Sequence, residues 1–149
     1  MTLGIDQFQD VDFLAMGNNS VIYSARQGTE LVALKMLKKE LADPISALKE
    51  IYGEMQLLTR MNHPNIINIK ASGRTPRQFI VLQKLEGGTL AQLLHKSKGA
   101  LPISKALDIA FQLASALKYL HNDMSQYASV IHRGTQIFPN VFIWLIFLF

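Results

Sequence analysis

At 149 residues the chain has the length of one average domain, and 49% apolar with 17% charged residues is a globular composition that excludes an intrinsically disordered chain. It holds no cysteine, so disulfides and thiolate metal sites are excluded. The formal charge of +4 comes from scattered lysines with no basic stripe between aromatics, which reads as a solvated surface and not as a nucleic-acid interface.

Residues 8–36 read as strands. "FLAMGNNSVIYSA" places two β-rich runs around Gly-Asn-Asn-Ser, a hairpin signal. "QGTELVALKML" follows, with Gly28 as a turn and "LVALKML" as a third strand. The short connections predict antiparallel neighbours. A helix comes next. Asp43 is suited to cap it, and Pro44 to fill its first position. Ile45, Leu48, Ile51, Met55, Leu58 and Met61 recur at steps of three and four, predicting one apolar stripe. "NHPN" ends this helix. "NIINIKASG" and "RQFIVLQKL" read as two more strands, and "EGGTLAQLLHK" as a turn and a short helix. Pro102 opens a longer helix over about 103–121. Its apolar positions Ile103, Leu107, Ala110, Leu113, Ala114, Leu117 and Leu120 cover a wide face, so burial on most sides is expected.

Two charged residues stand out. Glu54 is three residues after Ile51 and four before Leu58, so it lies against the apolar stripe of its helix. A carboxylate there needs a partner. Lys35 sits on a strand after Val32, Ala33 and Leu34, and can meet Glu54 across a sheet–helix interface. The plainer alternative is an ordinary surface ion pair. A buried pair would hold a cation beside a turn rich in backbone N–H groups, which is what polyphosphate binding needs. The four histidines, His63, His95, His121 and His132, are never three or four apart and join no acidic cluster, so they read as structural. No nucleophile motif such as G-x-S-x-G appears.

In this order and spacing the segments resemble the eukaryotic protein kinase family. The glycine-rich loop G-x-G-x-x-G-x-V corresponds to Ala15-Met16-Gly17-Asn18-Asn19-Ser20-Val21-Ile22. "VALK" corresponds to the strand that carries the family's lysine, here Lys35, and Glu54 to the helix glutamate. "HPNII" is similar to the text after that helix, and "FIVLQKLEGGTLAQLL" to the strand, hinge and helix that follow. "QLASALKYLH" resembles the long helix that opens the C-terminal lobe, and "VIHR" the start of the catalytic loop. The resemblance covers residues 8–133.

It implies an α+β, protein-kinase-like fold. The expected parts are a five-stranded antiparallel N-lobe sheet with one helix (about 8–84), then the hinge and the first helices of an incomplete C-lobe (about 85–133). It implies ATP as cofactor. Leu14 and Ile22 would flank the adenine, with Ala33 above it. Leu82 would be the gatekeeper, and Gln83 and Leu85 would offer hinge backbone. Ala15, Gly17 and Ser20 would line the phosphates. Lys35 would hold the α/β-phosphates, anchored by Glu54. The expected activity is phosphoryl transfer to protein hydroxyls, most simply Ser/Thr, in the intact parent. The expected partners are a protein substrate or a regulatory protein. A pseudokinase-like binding module is the alternative.

Two departures qualify this. Only Gly17 of the three loop glycines remains; if Ala15 or Ser20 needed positive φ, each would cost roughly 1–2 kcal/mol. After His132-Arg133 the family carries the catalytic Asp, and Gly134 stands there instead, so no catalytic residue is assigned. No D-F-G or A-P-E follows, so the ligands for the family's Mg are missing. From Gly134 the resemblance stops, and 134–149 reads as an apolar tail unrelated to the family. Its last nine residues, Val141 to Phe149, would span only about 13 Å as a helix against a bilayer core of about 30 Å, so no membrane span is expected. As a strand the run would need cover on both faces. A splice, frameshift or gene-model break is the expectation that fits the abrupt change. The N-terminal "MTLGIDQFQDVDF" shows no signal-peptide pattern, and a cytoplasmic setting is expected.

Overall fold

The computed structural model describes residues 3–87 and 90–122. "VIHR", Gly134 and the apolar tail lie outside the described residues. The described part is α+β. In chain order it runs β1 (Leu3–Gly4), a 3-10 turn (Ile5–Gln7), β2 (Gln9–Met16), β3 (Ser20–Gln27), β4 (Glu30–Leu37), α1 (Pro44–Arg60), β5 (Ile69–Thr75), β6 (Phe79–Gln83), α2 (Leu90–Lys96) and α3 (Ile103–Asn122). Two compact units result. The first comprises residues 3–61 and Asn68–Lys84; the second comprises Asn62–Ile67 and the described residues from Leu85 onward.

The first unit is built on a six-stranded sheet in the order β1-β5-β6-β4-β3-β2. The predicted five antiparallel strands are β2 to β6. The correction is β1, two residues that pair parallel to β5 and make the sheet mixed. So short a strand has no periodicity to announce it. The β2–β3 hairpin closes over Gly17 to Asn19, where Gly17 N–H donates to the Ser20 carbonyl at 2.8 Å. Gly28 makes the β3–β4 turn at φ 61°, a region that costs an L-residue but not glycine.

One face of the sheet packs Phe8, Ala25, Val32, Leu34, Met36, Phe79 and Val81 into a core, with Leu3, Ile5 and Tyr23 against it. Phe8 and Phe79 meet edge to face, ring centroids 5.9 Å apart at 84°. This face explains why the segment before β2 folds back: Leu3 and Ile5 have apolar surface to cover. Gly73 lies under that contact. A Cβ there would strike the Phe79 ring and the Leu3 carbonyl. Gly73→Ala is therefore expected to destabilise the chain by about 1–3 kcal/mol, the usual cost of overpacking. An unchanged urea midpoint would show that β1 and Phe79 yield freely.

α1 starts as its sequence requires. The Asp43 carboxylate accepts from Ser46 N–H at 3.0 Å, and Pro44 opens the first turn. Its apolar stripe is only partly covered. Ala47, Ile51, Leu57 and Leu58 are buried, whereas Ile45 is 68% and Leu48 37% exposed. The predicted stripe thus overreaches at its N-terminal end, where Ile45 and Leu48 lack cover.

In the second unit, the segment Asn62–Ile67 is tied to α3. Asn62 N–H donates to the Tyr119 hydroxyl at 3.0 Å, and Asn65 Nδ2 donates to Gln112 Oε1 at 3.1 Å. His63 stacks on Tyr119 with centroids 5.1 Å apart. Asn65 N–H donates to His63 Nδ1, so in the neutral ring Nε2 carries the proton and faces Ser115 Oγ at 3.2 Å. The expected burial of α3 on most sides is corrected. Only Ala116 and Leu120 are buried, while Ile103, Leu107 and Phe111 are 78%, 63% and 75% exposed. Periodicity reports a face that favours cover. It does not say whether the described residues supply that cover.

Candidate functional site

The second face of the sheet carries the residues singled out by sequence. Directly paired residues of neighbouring strands project to the same side. Ala15 pairs with Ile22, Ile22 with Lys35, and Lys35 with Ile80, forming one row across β2, β3, β4 and β6. Two positions along, Asp12, Ser24, Ala33 and Leu82 form the next row. Ala15, Ile22, Lys35, Ala33 and Leu82 therefore share a face in adjacent rows. Leu14 does not follow the simple alternation. The register shifts between Phe13 and Ala15, so Leu14 sits at a bulge and is 47% exposed.

Lys35 is the charged centre of this face. Its Nζ lies 2.5 Å from Glu54 Oε2, with the two side chains only 10% and 11% exposed. β4 fixes Lys35 from both sides, since β3 and β6 pair with it along its length. α1 presents Glu54 inward, one turn before Leu58. The plain alternative of an exposed surface ion pair is thus set aside by burial. Glu54 Oε1 is also buried and has no hydrogen-bond partner among the described residues. A buried acceptor left without a partner costs about 1–3 kcal/mol. The pair accordingly holds its lysine firmly but leaves one carboxylate oxygen uncompensated.

The loop carries no backbone strain at its substituted glycines. Ala15 ends within β2 and Ser20 begins β3. Among the described residues only Asp10 and Lys98 are non-glycine residues at positive φ. The conditional cost attached to Ala15 and Ser20 therefore does not arise. Ser20 is 8% exposed and Gly17 is exposed at the turn.

Leu82 is fully buried and Ala33 is 4% exposed, so these two form an apolar floor. Gln83 N–H donates to the Asn68 carbonyl at 3.0 Å. The Gln83 N–H is therefore already engaged within the first unit. Leu85, half-buried, is the first residue of the second unit after the sheet. An open groove of about 430 Å³ lined by Met55, Thr59, Arg60, Ile69, Lys70 and Ser72 contains none of these residues.

Two further attachments of α1 were not foreseen. The Tyr52 hydroxyl donates to Gln78 Oε1 at 3.0 Å, and Asn19 Nδ2 donates to Glu50 Oε2 at 2.8 Å. A signal for the second existed. Glu50 precedes Glu54 by four residues, hence shares its helix face. Among the described residues no group of three or more His, Asp or Glu side chains is placed to hold a metal ion. No described helix is long and apolar enough to cross a membrane.

This geometry has relatives. The family model described as Protein kinase domain matches residues 8–135. The human serine/threonine-protein kinase TNNI3K is 32% identical over 132 residues, covering 85% of this chain and 15% of the relative. A protein kinase and PP2C-like domain-containing protein of Arabidopsis thaliana is 31% identical, covering 83% of this chain and 18% of the relative. A probable serine/threonine-protein kinase of Clostridium perfringens, CPE1738, is 28% identical, covering 88% of this chain and 19% of the relative. The chain thus spans less than a quarter of each of these proteins. With a lysine and glutamate paired on the face that the sheet builds, and a family match running from Phe8 through the described residues, the chain belongs to the protein kinase domain family.

Proposed function

We propose that the first unit is the ATP-binding lobe of a serine/threonine protein kinase, whose intact parent phosphorylates protein hydroxyls. The observation that carries this reading is the buried contact of Lys35 with Glu54 at 2.5 Å. Burying two charges is costly, and the arrangement gains a fixed cation on a sheet face beside a tight backbone turn. In this reading Lys35 holds the α/β-phosphates and Glu54 keeps Lys35 from swinging away. Ala33 and Leu82 give the adenine an apolar floor, Ile22 and Leu14 bound it, and the Gln83 carbonyl accepts from it. Gly17 lets the loop approach the phosphates, with Ala15 and Ser20 framing the turn. ATP, when bound, supplies the phosphoryl group; a protein substrate or regulatory protein is the macromolecular partner. A cytoplasmic setting, where ATP is present and a chain without cysteine needs no oxidising compartment, belongs to the same reading.

A thermal-shift titration tests it. ATP at about 100 times Kd is expected to stabilise the unaltered chain by about 2.7 kcal/mol. Lys35→Met, checked for folding by near-UV circular dichroism, is expected to lose most of that response. No response in the unaltered chain, or an equal one in the variant, would overturn the assignment.

A second reading has its own support. Gly134 stands where the family carries its proton-accepting Asp. That favours a chain that binds nucleotide or a protein partner without transferring phosphate.

A further inference from the structure

The tip of the β2–β3 loop is fastened at two points. The Asn19 carbonyl accepts from the Lys38 N–H, just past the end of β4, at 3.0 Å. The Asn19 side chain donates from Nδ2 to Glu50 Oε2 on α1 at 2.8 Å. The second is a charge-assisted bond, the stronger kind of side-chain hydrogen bond. Glu50 and Glu54 stand one turn apart on α1. One turn of this helix therefore carries two rungs, Glu54 to Lys35 on β4 and Glu50 to Asn19 on the loop. A loop with two glycines fewer than its family pattern is thus placed by side-chain contacts.

We propose that Asn19 and Glu50 form a latch that ties the loop to α1, making both residues positioning residues for the polyphosphate of a nucleoside triphosphate. Moving α1 outward would break both rungs together, so loop placement and the Lys35–Glu54 contact are coupled. With Lys38 N–H holding it, the Asn19 carbonyl is not turned toward an incoming phosphate, whose oxygens it would repel. A tip placed before the ligand arrives saves the ordering cost of binding. The ligand half of this inference rests on the nucleotide-binding reading above. The latch itself does not.

Amide exchange followed by NMR on the full chain tests the latch without any ligand, using the Lys38 amide as reporter. Asn19→Ala and Glu50→Ala are each expected to speed Lys38 exchange about 3–10-fold, the loss that one ordinary hydrogen bond produces, because the Asn19–Glu50 bond is exposed to solvent and its charge is screened. The double variant is expected to be no faster than either single one. Glu50→Gln, which retains an acceptor oxygen, is expected to recover most of the protection, and Lys49→Ala to change nothing. Unchanged exchange, or strictly multiplicative effects in the double variant, overturns the latch. Titration with ATP then tests positioning, with Kd expected to rise about 3–10-fold in either variant and no further in both. If ATP binds but neither variant moves Kd, the positioning role is overturned while the latch stands. If ATP does not bind the unaltered chain, the nucleotide reading and with it the positioning role fall, and Lys38 exchange alone decides the latch.

Discussion

Replacing Lys35 with alanine is expected to lower the unfolding free energy by about 3–5 kcal/mol, the usual cost of removing one partner of a buried ion pair. Glu54 would be left about nine-tenths buried with neither carboxylate oxygen paired to Lys35, and one of them already has no partner among the described residues. The loss is large against a typical domain stability of about 5–15 kcal/mol. Glu54→Ala is expected to lower stability as well, because it removes the carboxylate that the buried ammonium faces. The double variant should cost less than the sum of the two, since the single variants each remove the same contact. Urea unfolding of the four proteins gives the coupling directly. Strict additivity would mean that the contact contributes nothing, and the nucleotide reading would lose its physical support. A helix that swings outward in solution would appear as reduced coupling with little change in either single variant.

Phosphoryl transfer by this chain is expected to be about 10²–10⁴-fold below that of a kinase domain with a carboxylate at the position of Gly134, the range attributed to a positioned general base. Glycine has no side chain with which to accept the substrate hydroxyl proton. Gly134 lies outside the described residues, so the expectation rests on the sequence and on the family match that extends to residue 135. A radiolabel-transfer assay on purified chain, beside its Lys35→Met variant, measures it. Robust ATP-dependent transfer that the variant abolishes would sink the inactive reading and establish the enzyme. Binding without transfer would favour the second reading given above.

Much of the site could be read from residue types and spacing. "VALK" identified Lys35, and the position of Glu54 on an apolar stripe called for a buried cation partner. The structure pairs the two. Asp43 and Pro44 predicted the start of α1, because a cap and a fixed φ are local properties. Gly-Asn-Asn-Ser predicted the turn between β2 and β3 for the same reason. These inferences needed only near neighbours in the chain.

What the sequence by itself determined is therefore the order of elements, the identity of the charged pair and the family. The tertiary structure alone decided the rest. It placed Leu14 at a bulge, added β1 in parallel to β5, and kept Ala15 and Ser20 out of positive φ. It left Ile45, Ile103 and Leu107 exposed on helices whose spacing predicted burial. It brought Asn19 to Glu50 across 31 residues of chain, and Tyr52 to Gln78 across 26. The physical reason is the same in each case. A periodic pattern says which side chains share a face, but cover for that face, and the partner of a polar group, come from segments distant in sequence. Their arrival depends on sheet register and helix placement, which are set by the packing of the whole unit and not by any local run of residues.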